Sequence, residues 1–243
     1  MSFQLYAPYQ HVVRVVERQR ERDVGGDIVI EVIFDPACPW CYVGKRRLEQ
    51  ALAMRPFLPW RIRWWPFLLY PEPMDTGPTR MADLVGIGGP ERRVRRAQEA
   101  LVGAGRGAAI PFALDRIGAR ANSVHAHRLV RLADEHGCGD EMVEALFCGH
   151  FVEGLDIGDL DVLVAIAEQV GLDPEVVGRY LMSSEDIAEV QREHARARRL
   201  GINGVPSFVF NGALAISGAQ EPQVLARMLD VTATFDAAAR TFY

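Results

Sequence analysis

Cysteine is scarce: four occur in 243 residues, at positions 38, 41, 138 and 148, too few and too unevenly spaced for a structural disulfide framework. No run of about 18 uncharged apolar residues exists to cross a bilayer. Residues 1–26 lack the order of positive end, apolar stretch and small-residue cleavage site that marks a secretory signal, and Arg14 to Asp23 is largely charged. The expectation is therefore a cytoplasmic protein with no membrane partner, in which a close cysteine pair is more often reactive than structural. Basic residues show no excess, with 27 Lys plus Arg against 32 Asp plus Glu, so the chain lacks the general electrostatic footprint of a nucleic-acid binder. Walker loops, G-x-S-x-G elbows, H-E-x-x-H motifs, internal repeats and low-complexity segments are also missing. What is present, 49% apolar and 9% aromatic residues, is the composition of a folded core.

Ile28 to Phe34 is short, β-branched and almost continuously apolar, the pattern of a central strand buried on both faces. Cys41 to Met54 reads as an amphipathic helix, with Val43, Leu48 and Leu52 on one side and Lys45, Arg46, Arg47, Glu49 and Gln50 on the other. Trp60 to Phe67 alternates with period two until Pro66 stops it. Strand, helix and strand make a βαβ unit. Helical spacing then recurs at Arg92 to Val102, Ser123 to His136, Asp140 to Val152, Asp159 to Val170, Pro174 to Met182 and Ser184 to Leu200, with no convincing strand. The glycine-rich stretches Gly77 to Gly89 and Gly103 to Gly107 read as loops. Ser207 to Phe210 and Ala213 to Ile216, joined at Asn211-Gly212, predict a hairpin, and Gln220 to Leu229 a closing helix. With strands only near the two ends, the expected fold is α/β: one mixed sheet interrupted by a large all-helical insertion.

Cys38-Pro39-Trp40-Cys41 lies between the first strand and its helix, so Cys38 falls at the helix N-terminus and Pro39 occupies a position that tolerates a missing N–H. Unpaired N–H groups and the positive end of the helix dipole favour a thiolate there. Residues three apart on a helix have Cβ atoms about 5–6 Å apart, so Cys41 is placed to resolve a mixed disulfide on Cys38. Zinc is the weaker reading because a structural site needs four ligands and no second close pair exists. A helix begun at Asp140 separates Cys138 from Cys148 by roughly 15 Å, too far for one metal or one disulfide. Gly103 to Ala108 fits a loose dinucleotide pattern but follows an Arg-rich helical segment where a strand is required.

Several separated motifs, in order, resemble the DsbA family of thiol–disulfide oxidoreductases, and its FrnE-like branch most closely. They are Cys38-Pro39-Trp40-Cys41 with Tyr42-Val43-Gly44-Lys45; Trp65-Pro66-Phe67 with Leu69; Ala126-His127-Arg128-Leu129; Phe151 to Ile157; Gly201-Ile202-Asn203; Gly204-Val205-Pro206; and Ser217-Gly218-Ala219-Gln220. The resemblance runs from about Asp27 to Leu229. It implies a thioredoxin-like fold with a four-stranded mixed sheet, residues 27–77 and 191–231 forming that domain around an inserted helical domain at 78–190. Residues 1–26 are then an N-terminal extension and 232–243 a C-terminal tail. An X-Pro bond is ordinarily trans, but the resemblance implies a cis Val205–Pro206 bond beside the cysteines, where Val205 and Pro206, with Pro39 and Trp40, shape the substrate site. Trp65 and Phe67 fit either a substrate border or packing between sheet and insertion.

Asp35, three residues before Cys38, is placed to order the loop or affect proton transfer, with a plain Asp-Pro turn as the competing reading. Lys45 would favour a thiolate or sit solvated on the helix. Asn122 and His127 match positions that face the active site in the related glutathione-using isomerases. The expected activity is protein dithiol–disulfide oxidoreductase or isomerase, with Cys38 as nucleophile and Cys41 resolving. It needs no metal or bound cofactor and takes a protein or small-molecule disulfide or thiol, with glutathione as a candidate co-substrate. Related 2-hydroxychromene-2-carboxylate isomerases share the architecture but typically carry serine at the active position, whereas both sulfurs are present here. The alternatives are a glutathione-dependent isomerase or transferase for a small aromatic or polyketide-like molecule, and a holdase or interaction module with dispensable cysteines. The sequence leaves a homodimer open.

Overall fold

In the computed structural model, residues 27–71, 89–118 and 121–241 are described, with side chains through 234. Four strands form one mixed sheet in the order β2-β1-β3-β4. β1 (Ile28–Phe34) pairs parallel with β2 (Trp60–Pro66), from Ile28 opposite Trp60 to Phe34 opposite Pro66. On its other side it pairs antiparallel with β3 (Ser207–Phe210), which pairs antiparallel with β4 (Leu214–Ser217). The predicted second hairpin strand begins one residue late, because the turn takes Asn211, Gly212 and Ala213. Asn211 and Gly212 both adopt positive φ, 48° and 65°, the conformation that makes Asn-Gly a hairpin signal. Asn211 also ties the hairpin to the start of β1: its Oδ1 accepts Val29 N–H at 2.7 Å and its N–H donates to Val29 O at 2.8 Å.

β1 is central, as its composition implies, but its two faces are not equally covered. Ile28, Ile30, Val32 and Phe34 are buried among Val43, Leu48 and Leu52 of α1 (Pro39–Ala53) and Leu225 and Leu229 of α8 (Pro222–Thr241). Each such side chain contributes about 1.5–3 kcal/mol on leaving water. On the opposite face only Ile33 is buried, against Phe67 and Ala197, while Val29 and Glu31 are half-buried.

Between β2 and β3 the described residues contain six α-helices: α2 (Glu91–Gly107), α3 (Val124–Glu135), α4 (Gly139–Cys148), α5 (Leu160–Val170), α6 (Pro174–Met182) and α7 (Ile187–Arg199). Local chemistry sets several ends. Asp159 and Asp173 each accept two first-turn N–H groups, and Gly171 closes α5 at φ +97°. Arg128 on α3 is fully buried and donates to the carbonyl oxygens of Tyr180, Leu181, Ser183 and Glu185, tying α3 to the end of α6.

Two sequence expectations need correction. Gly103 to Gly107 is no loop but the last part of α2, where Gly105 lets Phe112 approach so closely that an added Cβ would lie 2.5 Å from its ring. The remainder of the other glycine-rich stretch, residues 77–88, lies outside the described residues. The closing helix does not end at Leu229 but continues through position 232 to Thr241, with Thr232 still buried. α7 runs unbroken across positions 190 and 191, with Val190 and Ala197 buried. The extension at 1–26 lies outside the described residues.

Candidate active site

The chain leaves β1 at Phe34 and turns through Asp35-Pro36-Ala37 into α1. Asp35 makes the turn: its Oδ1 accepts Ala37 N–H at 2.9 Å, and its carbonyl accepts Cys38 N–H at 2.9 Å. Cys38 is the N-cap, in extended conformation, and its side chain caps nothing on its own helix. Pro39 follows in the first turn, as expected. Cys41 lies one turn on, its N–H donating to Cys38 O at 2.9 Å. Both thiols are buried, Cys41 the more deeply at 2% exposure against 6%. Burial first, and then the adjacent Cys38 sulfur, push the Cys41 thiol well above its ordinary value, with a backbone hydrogen bond from Asp35 pulling the other way. The pair is therefore asymmetric, with a terminal sulfur and an inner one that holds its proton.

The distant Gly204-Val205-Pro206 segment comes to the same place. Val205–Pro206 is cis, as the resemblance implies, and Cys38 Sγ lies 3.9 Å from Val205 O. Pro206 O accepts Gly218 N–H at 2.7 Å, and Ser207 Oγ bonds Gly204 O at 2.9 Å and Ser217 Oγ at 3.0 Å. Trp40 is half-buried against the main core. Phe67 is buried and packs against Ile33 and Ala197, whereas Trp65 is half-buried with the Arg196 guanidinium 5.3 Å over its ring.

Asp35 is more than a turn residue. It is fully buried, and its Oδ2 accepts Leu69 N–H at 2.7 Å from the segment after β2, while the Ser123 hydroxyl also bonds it. Burial raises its carboxyl from 3.8 to about 6 despite the pull of these hydrogen bonds. The neighbouring backbone is held by two histidines. His127 Nε2 donates to Phe67 O at 3.3 Å, and His194 Nδ1 accepts Leu68 N–H at 3.0 Å. Burial depresses His127 to about 3, so it is neutral and holds the loop without exchanging protons near neutrality.

Two sequence candidates sit differently from expectation. Asn122 is exposed and its Oδ1 accepts Val124 N–H at 3.0 Å; the adjacent Ser123 is the residue that faces Asp35. Lys45, the chain's only lysine, is neither solvated nor available to a thiolate. It is buried, bonded to Glu49 and, at 2.7 Å, to Glu144 of α4, which also accepts from Arg46 at 2.6 Å and from the Tyr42 hydroxyl at 2.8 Å. Burial works against the Lys45 charge, but Glu144 and Glu49 outweigh it and hold the ammonium above its usual value. Burial likewise opposes the Glu144 charge, yet Lys45 and Arg46 hold that carboxyl low.

Sequence patterns gave no sign of Glu144 or His194, and marked Ser123 only as a helix start. Cys138 and Cys148 flank α4, one half-buried at its N-cap and the other buried at its last residue. Among the described residues no cluster of three or more His, Cys, Asp or Glu is arranged to hold a metal, and no helix is long and apolar enough to cross a membrane.

A family model described as the DSBA-like thioredoxin domain matches residues 29–230. The crystal structure of a probable DsbA oxidoreductase from Streptomyces coelicolor is similar with a TM-score of 0.74 and 30% identity, covering 84% of this chain and 89% of that one. The cytosolic disulfide reductase DsbM from Pseudomonas aeruginosa, solved with GSH, shares the fold at 20% identity and a TM-score of 0.61, covering 84% of this chain and 98% of its own. Among curated proteins, the uncharacterized protein YwbO of Bacillus subtilis (strain 168) is 26% identical over 203 residues, 82% of this chain and 94% of YwbO.

Proposed function

The chain belongs to the DSBA-like thioredoxin-domain family, and from that premise we propose that it is a cytoplasmic dithiol–disulfide oxidoreductase whose Cys-Pro-Trp-Cys pair is the redox centre. Cys38 attacks one sulfur of a substrate disulfide, the substrate S–S bond breaks, and the far thiolate leaves and takes a proton from solvent. Cys41 then gives its proton to the Asp35 carboxylate and attacks Cys38, forming the protein disulfide and releasing the second substrate thiolate. Two electrons pass from the dithiol to the substrate; the reverse sequence oxidises a dithiol. Val205 and Pro206 dock the substrate backbone, and glutathione is a candidate source of reducing equivalents. No metal or bound cofactor enters the scheme.

The observation carrying this reading is the placement of Cys38 at the N-cap of α1, 3.9 Å from Val205 O, with Cys41 one turn deeper beside Asp35. Reduction of insulin disulfides by the wild type, Cys38→Ser and Cys41→Ser tests it. Loss of turnover in both variants is the expected result, and activity surviving Cys38→Ser rejects the scheme. Specific glutathione binding without disulfide turnover favours an isomerase or transferase instead. Suppression of aggregation by the double variant favours a holdase.

A further inference from the structure

Ser123 holds the N-cap position of α3, where a serine hydroxyl ordinarily accepts from the first-turn N–H groups of its own helix. Here it caps nothing. The exposed Asn122 takes over, accepting Val124 N–H at 3.0 Å, while Ser123, only 5% exposed, turns its hydroxyl to the Asp35 carboxylate. The division of labour is specific. A solvent-facing amide closes the helix, and a buried hydroxyl is left for a carboxylate that lies beside the inner cysteine.

The other partners of Asp35 are backbone N–H groups, Ala37 on Oδ1 and Leu69 on Oδ2. An N–H donates and cannot accept, whereas a hydroxyl does both. Of these three partners, only Ser123 can donate to the ionised carboxylate and then accept from the protonated acid. Resting on the proton-acceptor role proposed for Asp35, we infer that Ser123, supplied by the helical segment between β2 and β3, is a positioning residue that sets the acidity of Asp35 and with it the pH range in which Cys41 can resolve a mixed disulfide. In that step the Cys41 proton passes to Asp35, a bond forms between Cys41 and Cys38 sulfurs, and the bond from Cys38 to the substrate sulfur breaks with loss of a thiolate. Ser123 makes and breaks no covalent bond.

The titratable groups of the elements packed around Asp35 leave this limb to the carboxylate. Cys41 on α1 holds its proton, His127 on α3 is neutral, and His194 on α7 is lowered by burial and by Arg198. The cations of α1, Lys45 and Arg46, are held by Glu49 and Glu144. Hydroxyl donation favours the ionised form, so its removal raises the Asp35 pKa from about 6.

The test is stopped-flow reaction of the reduced full-length protein with dithiobis-nitrobenzoate across a pH series. The first thionitrobenzoate released reports attack by Cys38, and the second reports resolution by Cys41. In the wild type the second phase should fall off below a midpoint near pH 6. Ser123→Ala should move that midpoint up by about one pH unit, leave the first phase in place, and be restored by Ser123→Thr, which keeps the hydroxyl. Thermal melts confirm that the variants fold. An unmoved midpoint in Ser123→Ala, with the limb abolished in Asp35→Asn, overturns the role of Ser123 and spares that of Asp35. A limb that persists in Asp35→Asn removes the proton acceptor itself, and the inference falls with it.

Discussion

Gly44, on α1, lies so close to Pro206 that an added Cβ would come within 2.7 Å of the proline Cγ and 3.2 Å of the Phe208 ring. The helix carrying the two cysteines is thus pressed directly against the cis-proline loop. Gly44→Ala gains about 0.5–1 kcal/mol of helix propensity but overpacks a contact whose neighbour is a ring fixed in the backbone, at about 1–3 kcal/mol. Overpacking should win. Urea unfolding should show a net loss of roughly 1 kcal/mol, and insulin reduction should slow because the loop beside Cys38 is displaced.

Removing the inner sulfur alone should stop the reaction halfway. Cys41→Ser leaves Cys38 at the helix terminus, so attack on a disulfide proceeds while resolution cannot. Incubation with oxidised glutathione should then accumulate a protein carrying one glutathione, visible as an added mass that dithiothreitol removes. The wild type should show mainly the intramolecular disulfide.

The carboxyl of Asp35 links stability to acidity. In the folded chain it binds its proton up to about pH 6, whereas its ordinary value is 3.8. Between these values the native state holds more protons than the unfolded one, so stability falls as pH rises through this window and levels off above it. The full effect is about 3 kcal/mol. Asp35→Asn should flatten this slope in urea unfolding measured from pH 4 to pH 8, and an unchanged slope would contradict the assignment.

Buried and exposed ion pairs should respond differently to the loss of one carboxylate. Glu144→Ala removes one of the two carboxylates bonded to the buried Lys45 and Arg46, together with the carboxylate that accepts the Tyr42 hydroxyl at 2.8 Å. A loss of about 3 kcal/mol is expected, at the low end for a broken buried pair because Glu49 still bonds both cations. Glu175→Ala, which removes the exposed partner 3.9 Å from Arg179, should change stability by less than about 0.5 kcal/mol. Chemical denaturation of the two variants makes the comparison.

Patterns of short range were readable in the sequence. The apolar run Ile28 to Phe34, the proline after Cys38, the period-two Trp60 to Pro66 and Asn211-Gly212 each state their structure within a few residues, because strand, cap and turn propensities act locally. The same rules failed where packing overrode them. Glycines at 103–107 read as a loop, yet Gly105 is required where Phe112 packs on α2. Lys45 read as solvated or thiolate-directed because its carboxylate on α4 lies far along the chain. Asn122 and Ser123 could not be told apart, since either can cap a helix and only the fold shows which one faces inward.

The order of residues along the chain determined which sulfur ends a helix and which lies one turn inside it, since Cys38, Pro39 and Cys41 follow a strand and open the helix after it. Tertiary structure decided what surrounds them. Val205, Leu69 and Ser123 reach Cys38 and Asp35 from three separate stretches of chain, and no periodicity encodes such meetings. Their chemistry depends on burial and on donors supplied from afar, quantities that exist only once the sheet and its helices have closed around them.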